Sequence, residues 1–248
     1  MEMKLTFLNA GDAFAFEQGH NSAFLEFDNT NLVIDFPATN RAALRKLGMD
    51  LGDVENVFIT HLHEDHINGI QQFAYFNKFV TGRKPNLYIA EDLVDGLWET
   101  VRQGLLYGVG ALHTIDDYFV VKKLKPGHGF FIDDIEFGIV KTQHFDGMSS
   151  YGLLAKKYFY FSGDSLVDYD FLTKIHPFVQ TIFHDVHLKE IEIPVHASVR
   201  DIKKLPQEIQ DKIVIMHYHD EYVDKKNRER FEKEKNVQIA YALQQFVF

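Results

Sequence analysis

The chain has 248 residues, a length that suits one large domain or two closely packed halves, and its hydrophobic content of 46% is ordinary for a globular protein. It contains no cysteine, so disulfides and thiolate zinc sites are excluded, and the 13 histidines leave nitrogen and oxygen atoms as the available metal ligands. The net charge of −10 argues against extended nucleic-acid binding, which depends on Lys and Arg side chains that neutralise phosphates.

The hydropathy of the chain and its N-terminal residues bear on its location. No apolar run approaches the roughly 20 residues that a membrane span needs. Residues 1–7 lead into a strand pattern rather than a signal peptide. We therefore expect a cytoplasmic protein that is not associated with a membrane.

Short apolar runs alternate with turns in the first half of the chain, and this pattern predicts strands with intervening helices. The predicted strands are residues 5–8, 22–27, 32–36, 55–60 and 87–89. The predicted helices are residues 38–47, 67–78 and 91–107. Residues 108–130 contain four glycines and look irregular, and we interpret them as an insert that forms a lid or a dimer contact.

The second half of the chain repeats the alternation. The predicted strands are residues 135–142, 151–155, 157–161, 181–183 and 213–216. A helix is predicted over residues 165–174, and the charged run 220–235 predicts a solvated helix face. Strands interleaved with helices indicate an α/β protein with two sheets and outer helices, which we expect to form one domain over residues 1–248.

The most informative segment is residues 61–66, which read His-Leu-His-Glu-Asp-His. It lies between a predicted strand and a predicted helix, where side chains can converge from a rigid base. Three imidazoles and two carboxylates within six residues are costly to place together unless a cation neutralises and orders them. His61 and His63 can point one way while Asp65 and His66 turn toward a second point, which suits two metal ions.

Three further polar residues follow predicted strands, namely His144, Asp164 and His217. Strand ends on one rim of a sheet are where active-site groups collect in α/β proteins. Neutral imidazole suits Zn²⁺ and similar ions, and a carboxylate such as Asp164 can bridge two of them. Two ions roughly 3.5–4 Å apart can bind a phosphoryl group and generate hydroxide. The alternative role for Asp164 is to cap the predicted helix 165–174.

With the motif at 61–66 and its companions in order, the chain resembles the metallo-β-lactamase fold family over nearly its whole length. The resemblance implies an αββα sandwich, in which two packed β-sheets carry outer helices. It also implies two divalent metal ions, which we expect to be Zn²⁺, although Mn²⁺ and other ions suit the same ligands. By resemblance, one ion takes His61, His63 and His144, the other takes Asp65, His66 and His217, and Asp164 bridges them.

The last third of the chain narrows the resemblance to the tRNase Z-like phosphodiesterases. Residues 183–186 (Phe-His-Asp-Val) are similar to their His-Glu-Ala-Thr motif, and residues 195–198 (Val-His-Ala-Ser) are similar to their His-Ser-Thr motif. The resemblance implies that Asp185 orients His196, which helps protonate the leaving oxygen. Asp185 is one methylene shorter than the usual Glu, so the contact is expected to be looser. Glu64 stands where the tRNA-processing enzymes often have Gly, and their basic tRNA-binding arm is missing.

An acidic, compact chain with a tRNase Z-like core and no arm is similar to the phage-encoded anti-Pycsar phosphodiesterases. That resemblance implies a homodimer that hydrolyses 3′,5′-cyclic nucleotides to nucleoside monophosphates and so silences a nucleotide-based antiviral signal. In this interpretation Asp65 positions or deprotonates the attacking water. The alternatives are a tRNA 3′-endonuclease, which needs a basic surface, and a lactonase-like metallo-hydrolase, which does not need Asp185 and His196 paired. A non-catalytic nucleotide binder would require a broken ligand set.

Overall fold

The computed structural model describes residues 3–248, and its strands form two large sheets and one short hairpin. In chain order, the strands are β1 (Lys4–Asn9), β2 (Ser22–Glu26), β3 (Asn31–Ile34), β4 (Asn56–Ile59), β5 (Asn86–Ala90), β6 (Tyr107–Gly108), β7 (Ala111–Leu112), β8 (Val120–Leu124), β9 (Gly129–Ile132), β10 (Ile135–Thr142), β11 (Ser150–Ala155), β12 (Phe159–Phe161), β13 (Thr181–Asp185), β14 (Ile213–Met216), β15 (Gln238–Ile239) and β16 (Gln245–Val247). The α-helices are α1 (Asn40–Lys46), α2 (Glu64–Ile67), α3 (Ile70–Phe76), α4 (Val94–Leu105), α5 (Tyr169–Ile175), α6 (Val199–Ile202), α7 (Gln207–Gln210) and α8 (Lys225–Lys235).

The two large sheets share one plan. The first has the strand order β16-β1-β2-β3-β4-β5-β8 and the second has the order β15-β14-β13-β12-β11-β10-β9. In each sheet an antiparallel part joins a parallel part, which comprises β3, β4, β5 and β8 in the first sheet and β12 to β15 in the second. Parallel neighbours end at the same edge of a sheet, so the loops that follow them are gathered there.

The hydrophobic core lies between the two sheets. Phe7 of β1 is fully buried, and its ring lies 5.2 Å from that of Phe183 in β13 and 6.3 Å from that of Phe161 in β12. Helix α1 contacts β1 of the first sheet, and α8 contacts β15 of the second. Helices therefore lie against both sheets, and the predicted αββα arrangement is confirmed. Within residues 3–248 no helix combines the length and apolar character that crossing a bilayer requires.

Several predicted boundaries are wrong, and local geometry explains them. The helix predicted at 67–78 begins at Glu64 and is interrupted after Ile67, so Asp65 and His66 lie in a helical turn rather than on an open loop. The helix predicted at 165–174 begins at Tyr169, because Asp168 caps it by accepting a hydrogen bond from the Phe171 N–H. Neither Asp164 nor Ser165 therefore caps a helix.

The segment 108–130 is more regular than its glycines suggest. Val120–Leu124 form β8, which pairs in parallel with β5 along five residue pairs and forms an edge of the first sheet. Tyr107–Gly108 and Ala111–Leu112 pair as a short hairpin beyond α4. The hairpin lies outside both large sheets, and the lid or dimer contact over residues 108–130 stays a prediction. The sequence patterns also missed β15 and β16, which close one edge of each sheet.

Candidate metal centre

The predicted site residues converge at the carboxyl edge of the parallel strands. The segment 61–66 follows β4, His144 follows β10, Asp164 follows β12 and His217 follows β14. Parallel pairing of β13 with both β12 and β14 brings the carboxyl ends of the three strands to one edge, and Asp185 is the final residue of the middle strand, β13. The loop conformation is locally demanding, since His217 takes a left-handed backbone with φ of 62°. The fold thus gathers side chains that are far apart in sequence.

Three groups of side chains place their ligand atoms within 4.8 Å of one another. The groups are His61, His63, His144 and Asp164; Asp65, His66 and His217; and Asp164, His196 and His217. The first two contain the two ligand sets that the sequence resemblance implies, and every predicted ligand is present. Most of these residues are buried; His63 and His196 are partly exposed. The third group adds His196, which the sequence had assigned to proton transfer rather than to a metal ion.

Asp164 lies between the first two groups. Its Oδ1 atom is 3.3 Å from His66 Nε2, while its Oδ2 atom is 3.4 Å from His217 Nε2 and 3.7 Å from His61 Nε2. Oδ1 therefore faces the second ligand set, and Oδ2 lies between His217 of the second set and His61 of the first. This placement suits the bridging role that was predicted for Asp164 and leaves no function for it as a helix cap.

Hydrogen bonds on the far side of the imidazoles fix their orientation. His61 Nδ1 lies 2.9 Å from Thr60 Oγ1, and His144 Nδ1 lies 2.9 Å from the Val195 carbonyl oxygen. His66 Nδ1 and His217 Nδ1 face carboxylates at 2.7 and 3.4 Å. Because Nδ1 of each ring is engaged outside the cluster, Nε2 is turned into it. His63 presents its Nδ1 atom, 3.1 Å from the Nε2 atom of His61.

Asp35 is a part of this centre that the sequence patterns did not identify. It is fully buried just after β3, with φ of 58°, and accepts hydrogen bonds from the N–H and the hydroxyl of Thr60 at 2.8 Å. Its Oδ2 atom also lies 2.7 Å from His66 Nδ1. Burial raises the pKa of Asp35 more than His66 and Thr60 lower it. The available signal was an aspartate inside the apolar run 32–36, where a charged residue needs a partner.

The donor set fits divalent metal ions. His66 Nε2 and Asp164 Oδ1 are buried and have no hydrogen-bond partner within the described residues, although they face each other. An orphaned nitrogen lone pair and an orphaned carboxylate oxygen are costly in a protein interior and become favourable when a cation lies between them. Imidazole and carboxylate groups without thiolates suit Zn²⁺, Mn²⁺ and related ions. The cluster can therefore hold metal, with the choice of ion left open by the donors.

The pKa values of the carboxylates in the cluster also show that it attracts positive charge. Burial raises the pKa of Asp164, but the charges of His217, His66 and His61 outweigh it and hold that pKa well below the ordinary value. Burial likewise raises the pKa of Asp65, and His66 and His217 more than reverse the effect. Both carboxylates are thus ionised. For His61, burial lowers the pKa well below the ordinary value and the neighbouring His66 lowers it further, which leaves a neutral ring that can act as a ligand.

His66 and His217 show the opposite balance. Burial lowers the pKa of His66, but the charges of Asp164, Asp65 and Asp35 raise it well above the ordinary value. The pKa of His217 is also raised, because Asp164 and the contact with Asp185 outweigh burial. These two rings face more carboxylate charge than the centre can neutralise by itself. The centre therefore stabilises added positive charge, which protons or metal ions can supply.

Asp185 and His196 form the predicted pair. The Asp185 Oδ2 atom lies 2.7 Å from His196 Nδ1, and the same oxygen accepts a hydrogen bond from the Ser165 N–H at 2.9 Å. The shorter side chain does not loosen the contact, contrary to expectation, because the final residue of β13 is held close to the cluster. The His196 ring stacks on that of His217, with centroids 5.2 Å apart. Burial lowers the pKa of His196, and Asp185 more than compensates, so that pKa is raised.

Comparison with known proteins agrees with this geometry. The family model described as "Anti-Pycsar protein Apyc1" matches residues 3–242. A relative with that description from Paenibacillus sp. (strain J14) is 34% identical over 224 residues, which cover 89% of this chain and 91% of the relative. Another, from Bacillus phage vB_BsuM-Goe3, is 36% identical over 248 residues, which cover 92% of this chain and 95% of the relative.

Solved structures show the same architecture. The metallo-beta-lactamase fold protein YhfI from Bacillus subtilis has a TM-score of 0.78 at 13% identity and covers 100% of both chains. The short form of human tRNase Z has a TM-score of 0.69 at 17% identity and 98% coverage of each chain. The sandwich and the cluster at its strand ends define a protein of the metallo-β-lactamase fold. Within that class, the chain belongs to the Apyc1 family of anti-Pycsar proteins, as the sequence resemblance predicted.

Proposed function

We propose that this protein is a dinuclear metal-dependent phosphodiesterase that hydrolyses 3′,5′-cyclic nucleotides and thereby counters cyclic-nucleotide immune signalling. The observation that carries the proposal is the Asp185–His196 pair, held at 2.7 Å beside a cluster able to bind metal. Membership of the anti-Pycsar family supports the counter-defence role. A hydrolase without a difficult oxygen leaving group would not need this pair.

The ligand assignment is part of the proposal. His61, His63 and His144 would hold one divalent ion, Asp65, His66 and His217 would hold the other, and Asp164 would bridge them. Zn²⁺ is our proposed ion, with Mn²⁺ as the principal competitor for the same donors. A pair of such ions polarises phosphoryl oxygens and lowers the pKa of water.

The protein's own residues account for the proton transfers. Asp65 is ionised and lies within the cluster, 3.4 Å from His217 Nε2, so it can position the attacking water and accept its proton. The water oxygen forms a bond to phosphorus while the bond to one ribose oxygen breaks. Nδ1 of His196 is hydrogen-bonded to Asp185, so Nε2 of His196 is the atom that donates a proton to the departing ribose oxygen. The product is a nucleoside monophosphate, and the family resemblance favours the 5′ isomer.

The experiment that tests the function is a substrate panel with metal-loaded protein. It contains 3′,5′-cyclic nucleotides, bis-p-nitrophenyl phosphate, a pre-tRNA and a lactone. We expect cleavage of the cyclic nucleotides and of bis-p-nitrophenyl phosphate, and none of the pre-tRNA, since the −10 net charge opposes polyanion binding. Cleavage of pre-tRNA alone would favour the endonuclease, and exclusive cleavage of the lactone would exclude the phosphodiesterase.

Two substitutions test the dinuclear centre. His66→Ala and Asp164→Ala each remove a buried donor, and we expect either to abolish turnover while the far-ultraviolet spectrum stays close to that of the parent. His128→Ala, at an exposed turn, is the matched control. Near-normal phosphodiesterase activity in either cluster variant would contradict the two-metal mechanism. Metal content, measured by elemental analysis, should fall in both.

The assembly and place of action belong to the same proposal. We propose a homodimer that acts on a small-molecule substrate in the cytoplasm, which is the host cytoplasm if the chain is encoded by a phage. The phage-encoded relative supports the cellular setting. Analytical ultracentrifugation of the holoprotein tests the dimer, for which we expect twice the 28.8 kDa chain mass.

A further inference from the structure

A groove with a volume of about 890 Å³ adjoins the candidate metal centre on the outer side of the second sheet. It lies between residues 143–149, which follow β10, and residues 165–172, which lead into and include most of α5. His144 and Ser165 belong to its lining, so the groove reaches the residues next to the cluster. Its volume lies within the range of small-molecule sites, which is about 300–1,000 Å³.

Two polar atoms at the floor of the groove are left without partners. Tyr160 and His184 point outward from β12 and β13, and both are almost completely buried. His184 Nδ1 donates a hydrogen bond to the Asp185 carbonyl at 2.7 Å, so its Nε2 atom carries the lone pair and is an acceptor. Within the described residues neither this Nε2 atom nor the Tyr160 hydroxyl has a hydrogen-bond partner.

The position of Tyr160 depends on a neighbouring glycine. A Cβ atom at Gly152 would lie only 2.7 Å from the Tyr160 ring and hydroxyl, so the absence of that side chain lets Tyr160 lie across β11. Burial raises the pKa of Tyr160 well above its ordinary value, which keeps its hydroxyl protonated and able to donate. The floor therefore offers one hydrogen-bond donor and one acceptor to a molecule that occupies the groove.

The charges of the groove decide which end of a nucleotide it suits. Three aspartates (Asp146, Asp168 and Asp170) line it, against a single lysine, Lys141. This balance repels a phosphate and favours an uncharged group or an amino group. A nucleotide whose phosphate lies at the candidate metal centre would therefore extend its base, rather than its phosphate, into the groove.

An aromatic ring connects the groove to the metal centre. Phe145 lines the groove with 48% of its surface exposed, and its ring centroid is 5.3 Å from that of His63 and 4.8 Å from that of His144. Tyr169, which is 38% exposed, stands on the opposite wall. Exposed rings beside a phosphate site are typical stacking surfaces for bases.

We propose that this groove binds the base of the nucleotide substrate, with Tyr160 and His184 as the groups that hydrogen-bond its edge. The inference rests on the proposed phosphodiesterase function and deepens it, because it assigns base selection to the outer face of the second sheet. Base preference is then set by the donor and acceptor of the floor.

The test compares Tyr160→Phe and Val167→Trp with the parent protein, and Tyr158→Phe serves as the matched control on the same hairpin. For each protein, kcat/KM for a cyclic nucleotide is divided by kcat/KM for bis-p-nitrophenyl phosphate, which has no base. We expect this ratio to fall about fivefold in Tyr160→Phe, which loses one neutral hydrogen bond. In Val167→Trp, where the indole fills the groove, we expect a fall of at least tenfold, and in Tyr158→Phe no change.

Equilibrium titration with a nucleoside monophosphate separates this inference from the proposed function. If the parent cleaves bis-p-nitrophenyl phosphate but no cyclic nucleotide, the proposed function fails, and the titration still reports on the groove. A Kd for the nucleoside monophosphate that rises in Tyr160→Phe and in Val167→Trp by about the same factor as the kcat/KM ratio falls in each variant supports base binding. Unchanged ratios and an unchanged Kd in both variants would overturn it.

Discussion

Asp35 connects two residues of the centre from outside the ligand cluster. It accepts hydrogen bonds from Thr60, which precedes the His61–His66 motif, and faces Nδ1 of His66, the last residue of the motif, so it contacts both ends of this segment. Partners of this kind orient metal ligands and increase their basicity. The residue also occupies the left-handed region, which Asp and Asn tolerate better than most residues.

Asp35→Asn tests this function at constant backbone geometry. The amide keeps the left-handed conformation but lacks the charge that attracts the His66 N–H, so we expect divalent metal affinity to fall about 10- to 100-fold. Competition with a chromophoric chelator measures it. Asp133→Asn is the control, since Asp133 has a similar φ of 53° in a turn far from the centre. Equal affinities in the two variants would rule out the orienting function.

The proton-donating role of His196 makes a prediction about leaving groups. His196→Ala should lower kcat for a cyclic nucleotide by about 100-fold or more, the usual contribution of a general acid. The loss should be much smaller with bis-p-nitrophenyl phosphate, because p-nitrophenolate leaves without protonation. Steady-state kinetics on both substrates, with metal content determined in parallel, checks this. A similar loss on both substrates would instead indicate a role in metal binding or folding.

At the scale of single elements, α5 shows how a polar residue sets a boundary. Asp168 accepts a hydrogen bond from the Phe171 N–H at 2.9 Å and so satisfies one of the free donors of the first turn. This cap leaves residues 164–167 outside the helix. Asp164 is consequently free to face the metal cluster, and Ser165 to donate its N–H to Asp185.

Asp168→Ala should lower the free energy of unfolding by about 1 kcal/mol, the typical effect of losing an N-cap. Urea unfolding followed by circular dichroism measures the change. Asp170→Ala is the matched control, because Asp170 lies in the first turn of the same helix without acting as its cap. Should both variants lose the same stability, the cap would contribute nothing beyond the charge of the first turn.

At the scale of the whole molecule, the contact between the sheets sets the position of the centre. Phe7 of β1 packs across the interface against Phe161 of β12 and Phe183 of β13. The ends of β12 and β13 carry residues of the centre, so the aromatic layer beneath them forms part of its rigid base. A change in this layer therefore affects stability first and site geometry second.

Phe7→Ala should lower the free energy of unfolding by about 3–5 kcal/mol, since it leaves a cavity in the shared core. Phe14→Ala, at a position that is 80% exposed, should change it by less than about 0.5 kcal/mol. Chemical denaturation of both variants, with metal concentration held constant, provides the comparison. Comparable stabilities would mean that the two sheets do not share one cooperative core.

The motif and the order of its companions specified most of the centre in advance. His61, His63, Asp65 and His66 are local in sequence, and the strands before them are short apolar runs bounded by turns, so both are visible as patterns. Boundaries were less predictable. The start of α2 inside the motif and the delayed start of α5 depend on side-chain contacts and caps, to which apolar spacing is insensitive.

The sequence by itself determined the chemistry of the centre, because the types and order of its imidazoles and carboxylates restrict what they can bind. The tertiary structure decided how they cooperate. Parallel pairing of β12 to β14 brings Asp164, Asp185 and His217 to one edge, and the last residue of β13 reaches His196 despite its shorter side chain. Asp35 and the groove beside Phe145 arise from contacts between distant segments, which local patterns do not record.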